Sequence, residues 1–250
     1  MFLKSYFIQV AKSILIRFPK KIAAFFEFLS EMSRFKKQDD KRFAVALKDV
    51  YPCLNDRVST TPFDAHYIYH PAWAARILAG TKPALHVDFS SILSFSAIAS
   101  AFVPMKFYDY RPAELNLNGW QGNFADLCKL DIADSSFSSV SCMHTVEHIG
   151  LGRYGDTLDA MGDIKAINEL KRITKQHGDI LFVTPVGRQR IEFNAHRIYS
   201  FELVNELFQG CQLISFSLVK DDGSFVENAQ PSLVKEQEYG CGCFWFKKIQ

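Results

Sequence analysis

The 250-residue chain has no Cys-x-x-Cys unit, no apolar run of membrane-spanning length and almost no excess charge. Each absence excludes a class of protein. Its six cysteines are scattered through apolar stretches and no small-residue cleavage site follows an apolar core, so a reduced, cytoplasmic protein is expected. Lysine and arginine recur too often in MFLKSYFIQVAKSILIRF and KKIAAFFEFLSEM for either to supply the ~18 apolar residues of a membrane span. A formal charge of +2 without a recognition motif argues against a nucleic-acid partner. The 48% hydrophobic and 22% charged residues suit a soluble globular protein with one good core.

Charge is distributed unevenly. Residues 1–37 hold eight Lys or Arg against Glu27 and Glu31, which puts this segment at +6 and the remainder at −4. Helical spacing sets Lys4, Gln9, Lys12, Ser13 and Arg17 opposite Phe7, Ile8, Ala11, Ile14, Leu15 and Phe18. Pro19 interrupts, and Ile22, Phe25, Phe26 and Leu29 then form a second apolar stripe. Two readings stand: helices packed on the main domain or a second subunit, or a basic anchor lying on the inner face of an anionic membrane. The segment HYIYHPAWAARIL predicts a further helix with Pro71 in its first turn and Gly80 at its end. A helical extension over residues 1–80 and a main domain over residues 81–250 are therefore expected.

From Pro83 the pattern changes. Strand-length apolar runs at 84–89, 105–110, 138–145, 179–185, 213–219 and 241–248 alternate with helix-like stretches, which predicts a mostly parallel sheet covered on both faces. Ligands of such sheets sit beyond the carboxyl ends of the strands. Asp88 ends the first strand, followed by Ser90 and Ser91 at a helix start. Asp109 and Tyr110 end the second, at about the offset where an acid grips a nucleotide ribose. Asp126 and Leu127 precede the strand SSVSCMHT, and His144, Glu147 and His148 follow it.

The series Asp88, Asp109, Asp126, DSSFSSVSCMHTVEHI and ELKRITKQHGDILFVTP resembles class I S-adenosylmethionine-dependent methyltransferases over roughly residues 83–220. HTVEHIGLGRYGD with FNAHR looks like a bacterial branch of that superfamily that often accompanies polysaccharide biosynthesis. The resemblance implies a Rossmann-like α/β methyltransferase sheet with an antiparallel C-terminal strand. It also implies S-adenosylmethionine as cofactor, with Asp88, Ser90 and Ser91 at its methionine part, Asp109 and Tyr110 at ribose, and Asp126 and Leu127 at adenine. One departure stands out: the superfamily's first loop carries glycines in a D-x-G-x-G-x-G pattern, and DFSSILSF has none, so the backbone approaches a cofactor less freely.

HTVEH also matches the H-x-x-E-H zinc signature, which requires one continuous helix. A strand precedes it here, so no metal is expected, although His144, Glu147 and His148 could also be read as a loose divalent site or as loop-fixing hydrogen bonds. For methyl transfer to a hydroxyl, His148 or His144 is the expected base, with Glu147 beside them. Arg153, Tyr154 and Asp156 in a Gly-rich loop, with Asn194, His196 and Arg197, suit a small hydroxylated substrate such as a saccharide or its precursor. Cys241 and Cys243, on one side of a strand, read as two core thiols. The competing expectation is a catalytically silent binding or assembly protein of the same fold, attached to membrane, partner or a second copy through residues 1–37.

Overall fold

The computed structural model describes residues 21–38 and 42–249, so the first amphipathic stretch at residues 1–18 lies outside the described residues. Two compact units succeed each other, with the change at Pro62 and Phe63. In the first, residues 21–36 are helical (α1), and Ile22, Phe25 and Phe26 of the predicted apolar stripe are exposed. Arg57 pairs with both Glu27 and Glu31, one turn apart on that helix. Among the described residues no helix is long and apolar enough to cross a membrane.

The second unit is an eight-stranded sheet in the order β3-β2-β1-β4-β5-β10-β8-β9. Its strands are β1 (His86–Asp88), β2 (Met105–Asp109), β3 (Trp120–Phe124), β4 (Phe137–Met143), β5 (Thr174–Val186), β8 (Cys211–Val219), β9 (Phe225–Val226) and β10 (Gly240–Lys248). A separate hairpin pairs β6 (Arg190–Glu192) with β7 (His196–Ile198). Strands β1 to β5 run parallel to their neighbours, whereas β10 inserts antiparallel between β5 and β8. This is the Rossmann-like methyltransferase sheet, with its antiparallel strand at the C-terminus. Val87, Val140, Ile180, Leu181 and Val183 are wholly enclosed, as central strands covered on both faces require.

Two apolar layers cover the sheet. On one face α4 (Gly162–Ile173) and α5 (Phe201–Leu207) contribute Ala166, Ile167, Leu170 and Val204 to a core rich in phenylalanine. There Phe208 stacks on Phe246 at 4.3 Å and meets Phe182 at 4.8 Å. On the other face α2 (Ala65–Thr81) and α3 (Leu93–Ala99) contribute Trp73, Ala74, Leu78, Phe95 and Ala99. Strand order reverses between β1 and β4, which puts the topological switch beside Asp88 and His144.

Three local expectations are corrected. Pro71 lies inside α2 and not in its first turn, because Asp64 caps the helix by accepting the Tyr67 N–H. Gly80 is helical, and the left-handed cap falls on Lys82 (φ 47°). The helix-like run over residues 164–176 ends at Ile173, where the chain turns directly into β5. Strand β3 was not expected, since WQGNF lacks a β-branched run; pairing with β2 in full register holds it.

Removing the ring that links α5 to the sheet should be costly: Phe208→Ala is expected to lower unfolding free energy by about 3–5 kcal/mol. Equilibrium urea denaturation measures this, and a loss below about 1 kcal/mol would contradict the packing described.

Candidate active site

Asp88 has no exposed surface. Its Oδ1 accepts from the Ser90 N–H (3.1 Å), the Ser90 hydroxyl and the Ser141 hydroxyl (2.6 Å). Ser90 in turn accepts the Met143 N–H (3.1 Å), so one hydroxyl ties the β1 loop to the end of β4. Behind Asp88, His86 contacts Ser139 (2.7 Å) and Ser141 (2.8 Å). Since Ser141 donates to the carboxylate, it must accept from His86 Nε2–H, which leaves Nδ1 to accept from Ser139. Burial holds the His86 imidazole down to about 3, so it is neutral, and pushes the Asp88 carboxyl up to about 6. The other oxygen, Asp88 Oδ2, is buried without a partner.

Ser90, Ile92 and Ser94 stand at the glycine positions of the family pattern, and Phe89 at the variable position between Asp88 and the first of them. Phe89 turns to the opposite face from Asp88, joins the phenylalanine-rich core and stacks on Tyr108 at 5.2 Å. Asp109 sits two residues beyond the register partner of Asp88, on the face shared with Phe107, and is half-buried. Its Oδ1 accepts the Arg111 N–H at 2.7 Å. Tyr110 is exposed against Phe124. Asp126 is exposed and accepts the Cys128 N–H (2.9 Å), whereas Leu127 is buried in the same cluster as Phe89. Of the two serines, Ser90 is enclosed and its hydroxyl is used twice, while Ser91 is exposed.

The residues after β4 form a second cluster. His144 follows the strand in the left-handed region (φ 53°), a conformation that costs a side-chain-bearing residue on the order of 1 kcal/mol. Its Nδ1 meets Glu147 Oε1 at 2.8 Å, and only Val146–His148 form a helical turn. Around the buried His144 ring lie His66 (5.6 Å between centroids), Tyr67 (5.3 Å) and His70 (5.0 Å). His148 is half-buried; its Nδ1 donates to the Ala195 carbonyl at 2.6 Å, which leaves Nε2 a lone pair.

The expected substrate residues separate into two groups. Asp156 accepts the N–H groups of Gly150, Gly152 and Tyr154, so it shapes its own loop. Arg197 is buried and donates to the carbonyls of Ile149 (2.6 Å) and Asp159 (3.4 Å), beside Asp163 at 3.6 Å. Both side chains are engaged within the protein. Arg153, Tyr154 and His196 gather around His148: Arg153 donates to the same Ala195 carbonyl (3.1 Å), Tyr154 lies edge-on to the ring at 5.7 Å, and His196 lies 6.3 Å away, tilted against Tyr239 at 4.8 Å. Arg111 and Arg153 both lie over the Tyr154 ring, at 5.2 and 5.1 Å. Asn194 is exposed. His66, Tyr239 and Arg111 were not anticipated; only the His66-x-x-x-His70 spacing, one helical turn, signalled any of them.

Residues 123–238 match the family described as "Caenorhabditis protein of unknown function, DUF268". No curated protein matches the chain. Among solved structures, the fold is similar to a Galdieria sulphuraria protein assigned as a sarcosine dimethylglycine methyltransferase (14% identity, 72% of this chain, 85% of that chain, TM-score 0.52). It is also similar to the Bradyrhizobium japonicum N-methyltransferase NodS with S-adenosyl-l-homocysteine (9%, 74%, 88%, 0.51). A third is Burkholderia thailandensis 1,6-didemethyltoxoflavin-N1-methyltransferase with the same product and 1,6-didemethyltoxoflavin (10%, 73%, 79%, 0.50). At these identities the likeness is one of fold.

The enclosed carboxyl makes stability fall with pH. Because its folded value of about 6 exceeds the unfolded 3.8, Asp88 contributes stability below pH 4 that is lost as pH rises through 6, on the order of 3 kcal/mol. Asp88→Asn should abolish that slope in urea titrations from pH 4 to 7; wild-type and variant curves that stay parallel would refute it.

Proposed function

We propose that the chain is an S-adenosylmethionine-dependent methyltransferase acting on a small hydroxylated molecule, a saccharide or its precursor. The observation that carries this reading is the pair Asp88 and Asp109 on one sheet face at the topological switch, with Asp88 Oδ2 buried and unpartnered. A lone buried carboxylate oxygen suits the ammonium of the cofactor's methionine part, and Ser90, at the first glycine position, turns its hydroxyl onto Asp88. Asp109 serves the ribose hydroxyls; Ser91, Tyr110 and Asp126 line the remainder, Leu127 packs in the core beneath them, and Ser90 holds Asp88. The bound cofactor supplies a methyl group already activated on a positively charged sulfur.

The protein's own tasks are then orientation, exclusion of water and acceptance of one proton. His148 fits the last, because the Ala195 carbonyl fixes its tautomer with Nε2 unprotonated at a half-exposed position. His144 is enclosed and held by Glu147, so its part is to position its neighbours. Arg153, Tyr154 and His196 offer a planar fork and flat rings to a hydroxyl-rich or acidic acceptor, with Asn194 at the rim and Asp156 and Arg197 as scaffolding. The order of motifs over residues 83–220 and the saccharide-associated branch they resemble support this assignment. Residues 1–37 supply peripheral contact with the inner membrane face, a reading favoured by the exposed Phe25 and Phe26 beside their +6 charge.

Calorimetric titration should give micromolar binding of S-adenosylmethionine, weakened about ten- to hundredfold by Asp109→Ala. His148→Gln should leave that affinity intact while abolishing methyl transfer. Absence of binding up to millimolar cofactor would assign the fold to a silent assembly role instead. Deleting residues 1–37 should remove co-sedimentation with anionic liposomes, and undiminished co-sedimentation would exclude the anchor.

A further inference from the structure

We infer that His66, His144 and Cys241 form a binding site for one divalent transition-metal ion of the zinc class, with one coordination position left open. The inference goes beyond the methyltransferase reading and does not rest on it. One ligand atom from each of the three residues lies within 4.8 Å of those of the other two. They come from three elements, the first turn of α2, the turn after β4 and the start of β10, that the sheet brings to one place.

Accounting for protons shows why a cation belongs there. His144 Nδ1 carries the hydrogen donated to Glu147 Oε1, so its Nε2 is a lone pair, buried and without a partner. His70 Nδ1 donates to the His66 carbonyl at 2.7 Å, which makes His70 Nε2 a second buried, unpartnered lone pair. Glu147 Oε2 is a third unpartnered acceptor. Three acceptors thus lie buried without donors, and each is penalised by lost hydration while unpaired. A cation bound through His144 Nε2 satisfies one directly and lowers the cost of the other two by its field.

The surrounding chemistry fits. A carboxylate on the far nitrogen of a ligating imidazole is the usual means of fixing its tautomer, and Glu147 stands in that position. Binding would displace the Cys241 thiol proton, because the thiolate is the ligating form. Two imidazoles and a thiolate select zinc or cobalt over magnesium or calcium. Tetrahedral zinc brings N and S ligands to about 3.3–3.7 Å of one another, so the site must contract by roughly 1 Å. His66, half-buried in the first turn of its helix and stacked on His144 and Tyr239, is the ligand that must shift.

The test uses the full chain purified without chelator. Elemental analysis should find about one zinc per chain, and cobalt added to chelated protein should give a thiolate-to-cobalt charge-transfer band. Cys241→Ser should lose that band, while Cys243→Ser, its buried neighbour, should keep it. His66→Gln, at a partly exposed position, should weaken the metal at least about tenfold with the circular-dichroism spectrum unchanged. Metal at trace level together with a featureless cobalt spectrum overturns the site, as does full occupancy in both Cys241→Ser and His66→Gln. Metal content is read without cofactor or acceptor, so its outcome is separate from that of the calorimetry.

Discussion

A carboxylate with no exposed surface ends β1, and two serine hydroxyls on one of its oxygens set the position of much that surrounds the crevice. Ser141 belongs to β4 and Ser90 to the loop, and Ser90 also receives the Met143 amide. The hydrogen bonds therefore close the gap between the two central strands just where strand order reverses. A buried anion of this kind is tolerated only when its hydrogen bonds are good, which is why serines, and a neutral His86 behind them, fill positions that an apolar strand would give to valine.

The glycine-free loop follows from the same anchor. With Ser90 drawn inward to Asp88, Phe89 is left facing the other layer, where its ring finds Tyr108 and the core around Leu127. Ser90, at the first glycine position, is thereby committed to Asp88, while Ser91 beside it is exposed. Closer to β4 the balance differs, since the histidine and glutamate atoms around His144 are acceptors in excess of donors. The first cluster is self-satisfied except for one oxygen, and the second is not.

Much of this was legible in the sequence. Strand-length apolar runs between helical stretches gave the parallel sheet, and the acids Asp88 and Asp109 fall, as read, at the carboxyl ends of β1 and β2. Boundaries were harder, since Thr174 to Gln176 reads as helix tail but belongs to β5, with Thr174 opposite Phe137 of β4, and WQGNF gains its strand character only from β2. Long-range company was invisible: nothing local tells that the Tyr67, His70 and His66 rings surround a residue 74 or more positions away, or that Cys241 faces them. Arg197 misled for a related reason, because an arginine after a strand looks like a ligand fork until its carbonyl partners at Ile149 and Asp159 are seen.

Those two carbonyls, with the three amides gathered by Asp156, have a thermodynamic meaning for the loop that follows β4. Its backbone gives up most of its conformational freedom when the chain folds, before any guest arrives. Recognition at Arg153 and Tyr154 is then a matter of rotamers on a stiff frame, and modest contacts there yield more net affinity than the same contacts on a floppy segment.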